Sequence, residues 1–224
     1  MIKALIFDFD GLIVDTESPE FRAWQEVFAR HGHQLSLDLW ADLIGRPRNY
    51  FDMYGHFKAL NGPFTDLEAL RATHRARVAQ LVLEQPVLPG VADYLSEARA
   101  LGLKVGLASS SPGDYVRGHL TRLKLFDWFD ATQCFEDTAS HKPDPQPYVA
   151  VLDALGVLPA EAMAFEDSPN GVAAARAAGI FCVAVPNPVT QRLRFDHANH
   201  RLQSLAEESL QQLLSRVREA GSKD

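Results

Sequence analysis

The sequence predicts an α/β protein, a doubly wound parallel, Rossmann-like core sheet with an inserted α-helical cap domain, and three observations predict it. The first apolar run, Ala4 to Phe7, is short, continuous and β-favouring, and it drives into Asp8, Asp10 and Gly11. That suits a central strand buried on both faces, with a sharp turn where it ends. From Gly90 onward, helical and strand-like patterns alternate at short intervals, as successive units of a parallel sheet do. Between these two regions, residues 17 to 85 read as helices alone.

Taken in order, the helical stretch opens at Ser18-Pro19, a cap followed by proline at the first helical position, with Phe21, Trp24 and Phe28 on one face. A second helix is expected from Ser36 with Leu39, Leu43 and Ile44 inward. A further one is expected from Thr65, where Glu68 completes a capping box ahead of Leu67, Leu70, His74 and Leu81. A crossover between neighbouring parallel strands needs only about thirty residues. So much helix after one strand therefore reads as an insertion, giving a core of residues 1–16 and 86–224 and a cap of 17–85. Helix 91–101 then leads to strand 103–108, helix 114–124 to a strand near 131–135, helix 147–155 to strand 162–165, and helix 169–178 to strand 181–185. A last amphipathic helix is expected over 204–219.

The 224 residues can bury a substantial core, and a formal charge of −7 disfavours nonspecific binding to nucleic acid or an anionic membrane. Cys134 and Cys182 sit in apolar, strand-like stretches, which favours reduced core thiols over a disulfide. Asp8 and Asp10 interrupt the one early apolar run, so no signal-peptide core is present, and no run is long enough for a membrane span. A cytoplasmic protein is expected. Nothing in the sequence sets the oligomeric state, and a monomer is compatible with it.

Ligands of open parallel sheets bind beyond the carboxyl ends of the strands, so the polar groups there matter most. Asp8 and Asp10 end the first strand, Ser109 ends the second, Glu166 and Asp167 end the strand at 162–165, and Lys142 lies in the rigid HKPDP segment. Taken singly, D-x-D-G is an ordinary turn, Ser109 a turn former and Lys142 a solvated charge. A calcium loop fails on spacing, because Leu12 and Ile13 stand where an Asp or Asn and a Gly are needed. Taken together, converging carboxylates call for a hard cation, and an all-oxygen set points to Mg²⁺ rather than zinc. Such a metal commonly meets phosphate. Lys142 can supply a fixed positive charge to a phosphoryl oxygen, Ser109 and its neighbours can donate hydrogen bonds, and Asp8 is free to attack phosphorus. His197 and His200 lack a third matched ligand for zinc.

That arrangement resembles the haloacid dehalogenase superfamily, in its aspartyl-phosphate phosphotransferase branch and within it the β-phosphoglucomutase-like group with a helical cap. DFDGLIVDT resembles the family's first motif, LASSS the second through Ser109, HKPDP the third through Lys142, and FEDSPNG the fourth through Glu166 and Asp167. The resemblance implies that Asp8 is the nucleophile and Asp10 the acid/base. It also implies that Asp8, the main-chain carbonyl of Asp10, and Asp167 hold magnesium, with Glu166 assisting directly or through water.

An acid two residues after the nucleophile argues for phosphoryl transfer, because an alcohol leaving group needs a proton and a halide does not. Glu17, Glu20 and Arg48 are the candidate substrate-binding residues of the cap, with Ser110 and Ser111 on the core side. Where the mutase carries a cap histidine this chain aligns Glu20, and Pro112-Gly113 follow Ser111. Those departures favour a phosphatase of a small phosphomonoester, a sugar or polyol phosphate, over a phosphosugar mutase. A module that binds a phosphorylated metabolite without turnover is the alternative from a different class, and it has no need of an intact nucleophile and acid.

Overall fold

The structure is a computed structural model, and it describes residues 1–44, 52–62 and 66–221. Strand β1 (Ala4–Phe7) is followed by four helices, α1 (Glu17–Arg30), α2 (Leu37–Ile44), α3 (Met53–Asn61) and α4 (Leu67–Leu83). The alternating part then runs α5 (Val91–Ala100), β2 (Lys104–Ala108), α6 (Gly113–Arg122), β3 (Ala131–Gln133), α7 (Gln146–Leu155), β4 (Ala162–Glu166), α8 (Pro169–Ala177), β5 (Phe181–Ala184), β6 (His200–Arg201) and α9 (Leu210–Gly221). The sheet order is β3-β2-β1-β4-β5-β6, and every pairing is parallel.

Both faces of the sheet are covered, which is why its central strands are continuous apolar runs rather than alternating ones. The period of two instead decides which helices each side chain meets. Leu5, Phe7, Leu107, Met163 and Phe165 pack with α5, α6 and α9. Ala4, Ile6, Ala162 and Ala164 pack with α7 and α8. Phe165 is the hinge of the first core: its ring stacks on Phe7 at 5.0 Å and meets Tyr94 edge-on at 5.4 Å.

The four helices after β1 gather round a cluster of their own, containing Trp24, Val27, Phe28, Leu35, Trp40, Met53 and Phe57. Val189, from the loop after β5, completes it. Within this region the structure corrects several sequence expectations. Helix α1 begins earlier than Ser18, with Thr16 as its N-cap, and Ser18 instead donates its backbone N–H to Asp15 Oδ1 at 2.9 Å. Pro19 still falls within the first turn, where a missing N–H costs nothing. Ser36 does accept the Leu39 N–H at 3.2 Å, but Leu39 is exposed and Trp40 is the buried residue, because the indole offers more apolar surface to Phe21. Thr65 lies outside the described residues, and Asp66 is the N-cap of α4, its carboxylate accepting the N–H groups of Glu68 and Ala69. Helix α3, with its Asp52 cap, was not foreseen.

In the alternating part β3 stops at Gln133, so Cys134 lies just beyond it, and both cysteines are free and buried. The last helix starts at Leu210 rather than 204, since Ser204 to Glu208 form turns. The short edge strand β6 had no sequence signal. Among the described residues no helix is long and apolar enough to cross a membrane.

These packing assignments separate two substitutions. Phe165→Ala removes a wholly buried ring from the sheet's central contact and should lower stability by about 3–5 kcal/mol, whereas Leu39→Ala should change it by less than about 0.5 kcal/mol. Urea unfolding of the two variants beside the parent chain reads both numbers, and a large loss at Leu39 would contradict the observed face of α2.

Candidate active site

The strand order turns on β1: successive strands extend to one side of it through β2 and β3, and to the other through β4, β5 and β6. A crevice opens at such a switch point, outside the carboxyl ends of the strands. Asp8 follows β1 directly, its backbone N–H donating to the Phe165 carbonyl of β4 at 3.0 Å, and Glu166 is the last residue of β4. The two strands that flank the crevice thus deliver Asp8, Asp10, Glu166 and Asp167 to it.

Two glycines make that convergence sterically feasible. Gly11 has φ +77°, and a Cβ there would lie 2.1 Å from Asp167 Oδ2. A Cβ on Gly171, in the first turn of α8, would lie 1.9 Å from Glu166 Oε2. Ser168 caps that helix, accepting the Gly171 N–H at 3.1 Å as the Ser-Pro pair suggests, and it also donates to Glu166 Oε2 at 3.3 Å.

Lys142 is the hub. Its ammonium donates to Asp8 Oδ1 at 2.5 Å, to Glu166 Oε1 at 2.6 Å and to the Ala108 carbonyl at 2.8 Å, using all three hydrogens. Burial alone would lower its pKa, but the carboxylates of Asp8 and Glu166 outweigh that and hold it above the usual lysine range. Glu166 is wholly buried and takes a further hydrogen bond from Tyr148 Oη at 2.5 Å. Asp167 receives one from Asn187 Nδ2 at 2.7 Å. Asn187 cannot turn away, because its Oδ1 accepts the N–H groups of Val189 and Thr190 at 2.9 Å each.

Asp10 sits in a different setting from Asp8. Its carboxylate accepts Ser111 Oγ–H at 2.6 Å and a hydrogen bond from Thr16, with no contact to Lys142 of hydrogen-bond length. Burial raises its pKa, and the two hydroxyls work against that.

Asp8, Glu166 and Asp167 offer carboxylate oxygens that all lie within 4.8 Å of one another. One ammonium stands against three buried carboxylates. The imbalance shows in their acidities: burial, with Glu166 and Asp10 nearby, pushes Asp8 up to about 8, and burial with Asp8 and Glu166 drives Asp167 well above the carboxylate range. A hard divalent cation would supply the missing charge, and an oxygen-only donor set with no buried sulfur or imidazole in it suits such a cation. The residues present therefore fit a metal of that class.

The cleft beyond this cluster has a volume of about 700 Å³. Asp8, Asp10, Lys142 and Asp167 line it, as do Glu17 and Glu20 from α1 and Ser110 and Ser111 from the loop after β2. Ser109 is buried behind that wall, where its Oγ accepts the Ser111 N–H at 2.9 Å. Glu17 is pushed up to about 8 by burial and by Asp10, Glu20, Asp15 and Asp8, and burial lifts Glu20 to about 7. Arg48 lies outside the described residues. Sequence reasoning missed Tyr148, Asn187, Thr16, Tyr115 and His141, the last three of which line the cleft. Asn187 stands three residues beyond β5, so carrying the strand-end search to that strand would have found it. Tyr148 reads as one more apolar position of α7, and no pattern marks its hydroxyl.

With this geometry in place, the comparisons with known proteins are specific. YhcW of Bacillus subtilis (strain 168) is 46% identical over 217 residues, covering 97% of this chain and 98% of its own. Hexitol phosphatase B of Escherichia coli (strain K12) is 38% identical over 217 residues, covering 95% and 97%. The crystal structure of CbbY from Rhodobacter sphaeroides in complex with phosphate superposes with a TM-score of 0.71 at 27% identity, covering 94% of this chain and 98% of that one. The family model described as haloacid dehalogenase-like hydrolase matches residues 2–179, which is most of the chain, and the protein belongs to that family.

Proposed function

We propose that the chain is a Mg²⁺-dependent phosphatase that hydrolyses a small phosphomonoester, a sugar or polyol phosphate, through a phosphoryl group carried on Asp8. The observation that carries this reading is the unlike placement of two carboxylates in one cleft: Asp8 is held by Lys142, and Asp10 by Ser111 and Thr16. A nucleophile has to stay ionised and aligned, while an acid/base has to exchange a proton, and pairs of carboxylates in contrasting environments divide those tasks. The phosphatases among the relatives agree with it.

Asp8 Oδ attacks phosphorus as the ester oxygen departs, and Asp10 gives that oxygen its proton. Asp10 then takes a proton from water, whose oxygen attacks the same phosphorus and returns Asp8 as a carboxylate. Lys142 balances negative charge on Asp8 and on the phosphoryl oxygens, and Ser110 with the backbone of its loop offers donors to them. Asp8, Asp167 and the main-chain carbonyl of Asp10 would hold the metal. Both oxygens of Glu166 already accept from Lys142, Tyr148 and Ser168, which suits it to hold the others in place or to ligate through water. The metal, when bound, supplies Lewis-acid charge stabilisation at the phosphoryl group. Residues 17–85 would act as a cap over a core of 1–16 and 86–224, with Glu17 and Glu20, and Arg48 from outside the described residues, meeting the organic part. A cytoplasmic location and a monomer are consistent with this role.

Asp8→Asn should abolish phosphate release with the fold retained, and acid-quenched parent protein should carry substrate-derived phosphate on Asp8. Label found on another residue would rule the mechanism out.

Removal of divalent cations with EDTA should stop turnover, and Mg²⁺ should restore it. Asn187→Leu leaves Asp167 without its amide donor and should weaken Mg²⁺ binding about 10–100-fold, read by calorimetric titration independently of activity. Tight binding retained in that variant would separate Asp167 from the metal.

Hydrolysis and intramolecular transfer part ways at the second step. Among the described residues, Lys142 is the one Lys or Arg that lines the cleft, and Glu17 and Glu20 face where a second phosphate would have to lie. No second cation among the described residues is there to hold another phosphate, and a dianion beside Glu17 and Glu20 would meet repulsion from whatever fraction of them is ionised. With β-glucose 1-phosphate and a trace of the bisphosphate, phosphorus NMR should show inorganic phosphate growing faster than glucose 6-phosphate, and the reverse order would favour the mutase.

A further inference from the structure

The wall of the cleft contributed by α1 carries an arrangement that phosphoryl transfer does not use. Glu20 faces the cleft from the first turn of α1, and His74 of α4 stands behind it, 2% exposed. The imidazole lies against the Trp24 ring with centroids 4.2 Å apart. Its Nδ1 is 3.1 Å from Tyr54 Oη. Its Nε2 is buried, has no hydrogen-bond partner of good geometry among the described residues, and faces two acceptors of one residue, the Glu20 backbone carbonyl, which interacts with the ring, and the Glu20 carboxylate, whose Oε1 lies 3.7 Å away.

The protons on this ring can be assigned by elimination. Burial pushes His74 down to about 4, so at neutral pH it is uncharged and carries one N–H. A neutral imidazole donates from one nitrogen and accepts at the other. Nε2 looks onto acceptors, whereas Tyr54 can bring a hydroxyl hydrogen to Nδ1. The tautomer that satisfies both has hydrogen on Nε2, and the chain of donors then runs from Tyr54 through His74 toward Glu20. A hydrogen bond from Trp24 to the Glu20 side chain points the same way. Burial lifts Glu20 to about 7, and the Trp24 and His74 donors behind it favour its ionised form, in which it is an acceptor toward the cleft. The partner that an acceptor selects from water-soluble esters is a hydroxyl, because a phosphate or carboxylate offers no proton there at neutral pH. At 3.7 Å the pair stands just beyond hydrogen-bond length, so holding Glu20 in this way requires the gap to close by a few tenths of an ångström.

We propose that His74, oriented by Tyr54, is a positioning residue that holds Glu20 as a hydroxyl acceptor and so makes the cleft a reader of polyhydroxylated leaving groups. This rests on the phosphatase reading and adds to it the side chains that set its substrate class.

The test compares two substrates on the full chain with Mg²⁺, a hexitol 6-phosphate and p-nitrophenyl phosphate, whose leaving group bears no hydroxyl. In His74→Met the ratio of kcat/KM for the hexitol ester to that for the aryl ester should fall about tenfold, mainly through KM, the size expected for one hydrogen bond to a charged group. His74→Gln, which can present an N–H near the position of Nε2, should recover most of the ratio. Tyr54→Phe should lower it less, since Nδ1 loses its donor and the tautomer is no longer fixed. A merely structural role for His74 would lower both substrates alike, and that outcome overturns the proposal, as does a failure of glutamine to rescue. If His74→Met does not fold, the Tyr54→Phe ratio decides, and an unaltered ratio overturns it. A parent chain that cleaves the aryl ester but no hexitol ester sinks this inference and leaves the phosphatase reading standing; one that cleaves neither ends both.

Discussion

The Lys142 ammonium, buried between Asp8 and Glu166, is the interaction on which the rest of the site depends. Three carboxylates drawn into one dry crevice repel one another, and each loses hydration that only close opposite charge or hydrogen bonds can replace. Lys142 meets two of them and a backbone carbonyl at once, so it orients Asp8, engages Glu166 and ties the loop before α7 to the end of β2. One positive charge does not offset three negative ones. The raised pKa values of Asp8 and Asp167 record the shortfall, and a divalent cation is the simplest group that removes it. The same shortfall argues against a purely structural cluster: replacement of such ions by apolar residues would be no less stable, so an unbalanced set has to be explained by what binds there.

Sheet topology explains why the residues meet at all. β1 and β4 are neighbours in space although most of the chain separates them, and the strand order reverses between them. Each donates a pair of acids at its carboxyl end, and each needs a glycine, Gly11 or Gly171, so that backbone and carboxylate can approach without a Cβ between them. The helical segment enters directly after β1, which places the first turn of α1, with Glu17 and Glu20, against the same crevice. The acids that end β1 and the carboxylates of α1 are therefore adjacent in sequence, whereas the other groups of the cleft arrive from distant parts of the chain.

Much of this was legible before any coordinates. The apolar run at Ala4–Phe7 and the D-x-D-G after it matched a buried strand and its turn because local pattern and tertiary role agree there. Ser168-Pro169 announced the start of α8 for the same reason. Ser18-Pro19 misled, since the helix starts with Thr16 as N-cap, two residues earlier, the Asp15 carboxylate takes the Ser18 N–H, and proline is tolerated anywhere in the first turn. Leu39 was assigned inward by periodicity alone, a signal that cannot choose between Leu39 and the neighbouring Trp40, and long-range packing against Phe21 made the choice. The hydroxyl of Tyr148 and the imidazole of His74 act through partners 18 and 20 residues away, a relation that no local spacing encodes. Ser110 and Ser111, read from the sequence as the core-side binding serines, do line the cleft, whereas Ser109, read as the polar group of the strand end, is buried behind them, because local pattern places a strand end but not the direction of its side chain.

The turn after β5 joins these strands of argument. Asn187 spends its carbonyl on the N–H groups of Val189 and Thr190, so its amide is fixed toward Asp167. Two residues later Val189 enters the apolar cluster of Trp24 and Phe28, and Arg192 pairs with Asp38 of α2. One short turn thus holds a carboxylate of the acidic cluster by hydrogen bonding and the helical segment by packing. Apolar contact is non-directional and would tolerate small slips of the helices, whereas the Asn187 bonds have fixed lengths and angles. Because both are anchored on the same few residues, the helical segment and Asp167 share a reference point. On the proposed reading, in which the reacting acids come from the sheet and the substrate-binding groups from α1, such a common anchor is needed, since positioning errors of about 1 Å between binding and reacting groups are costly to catalysis.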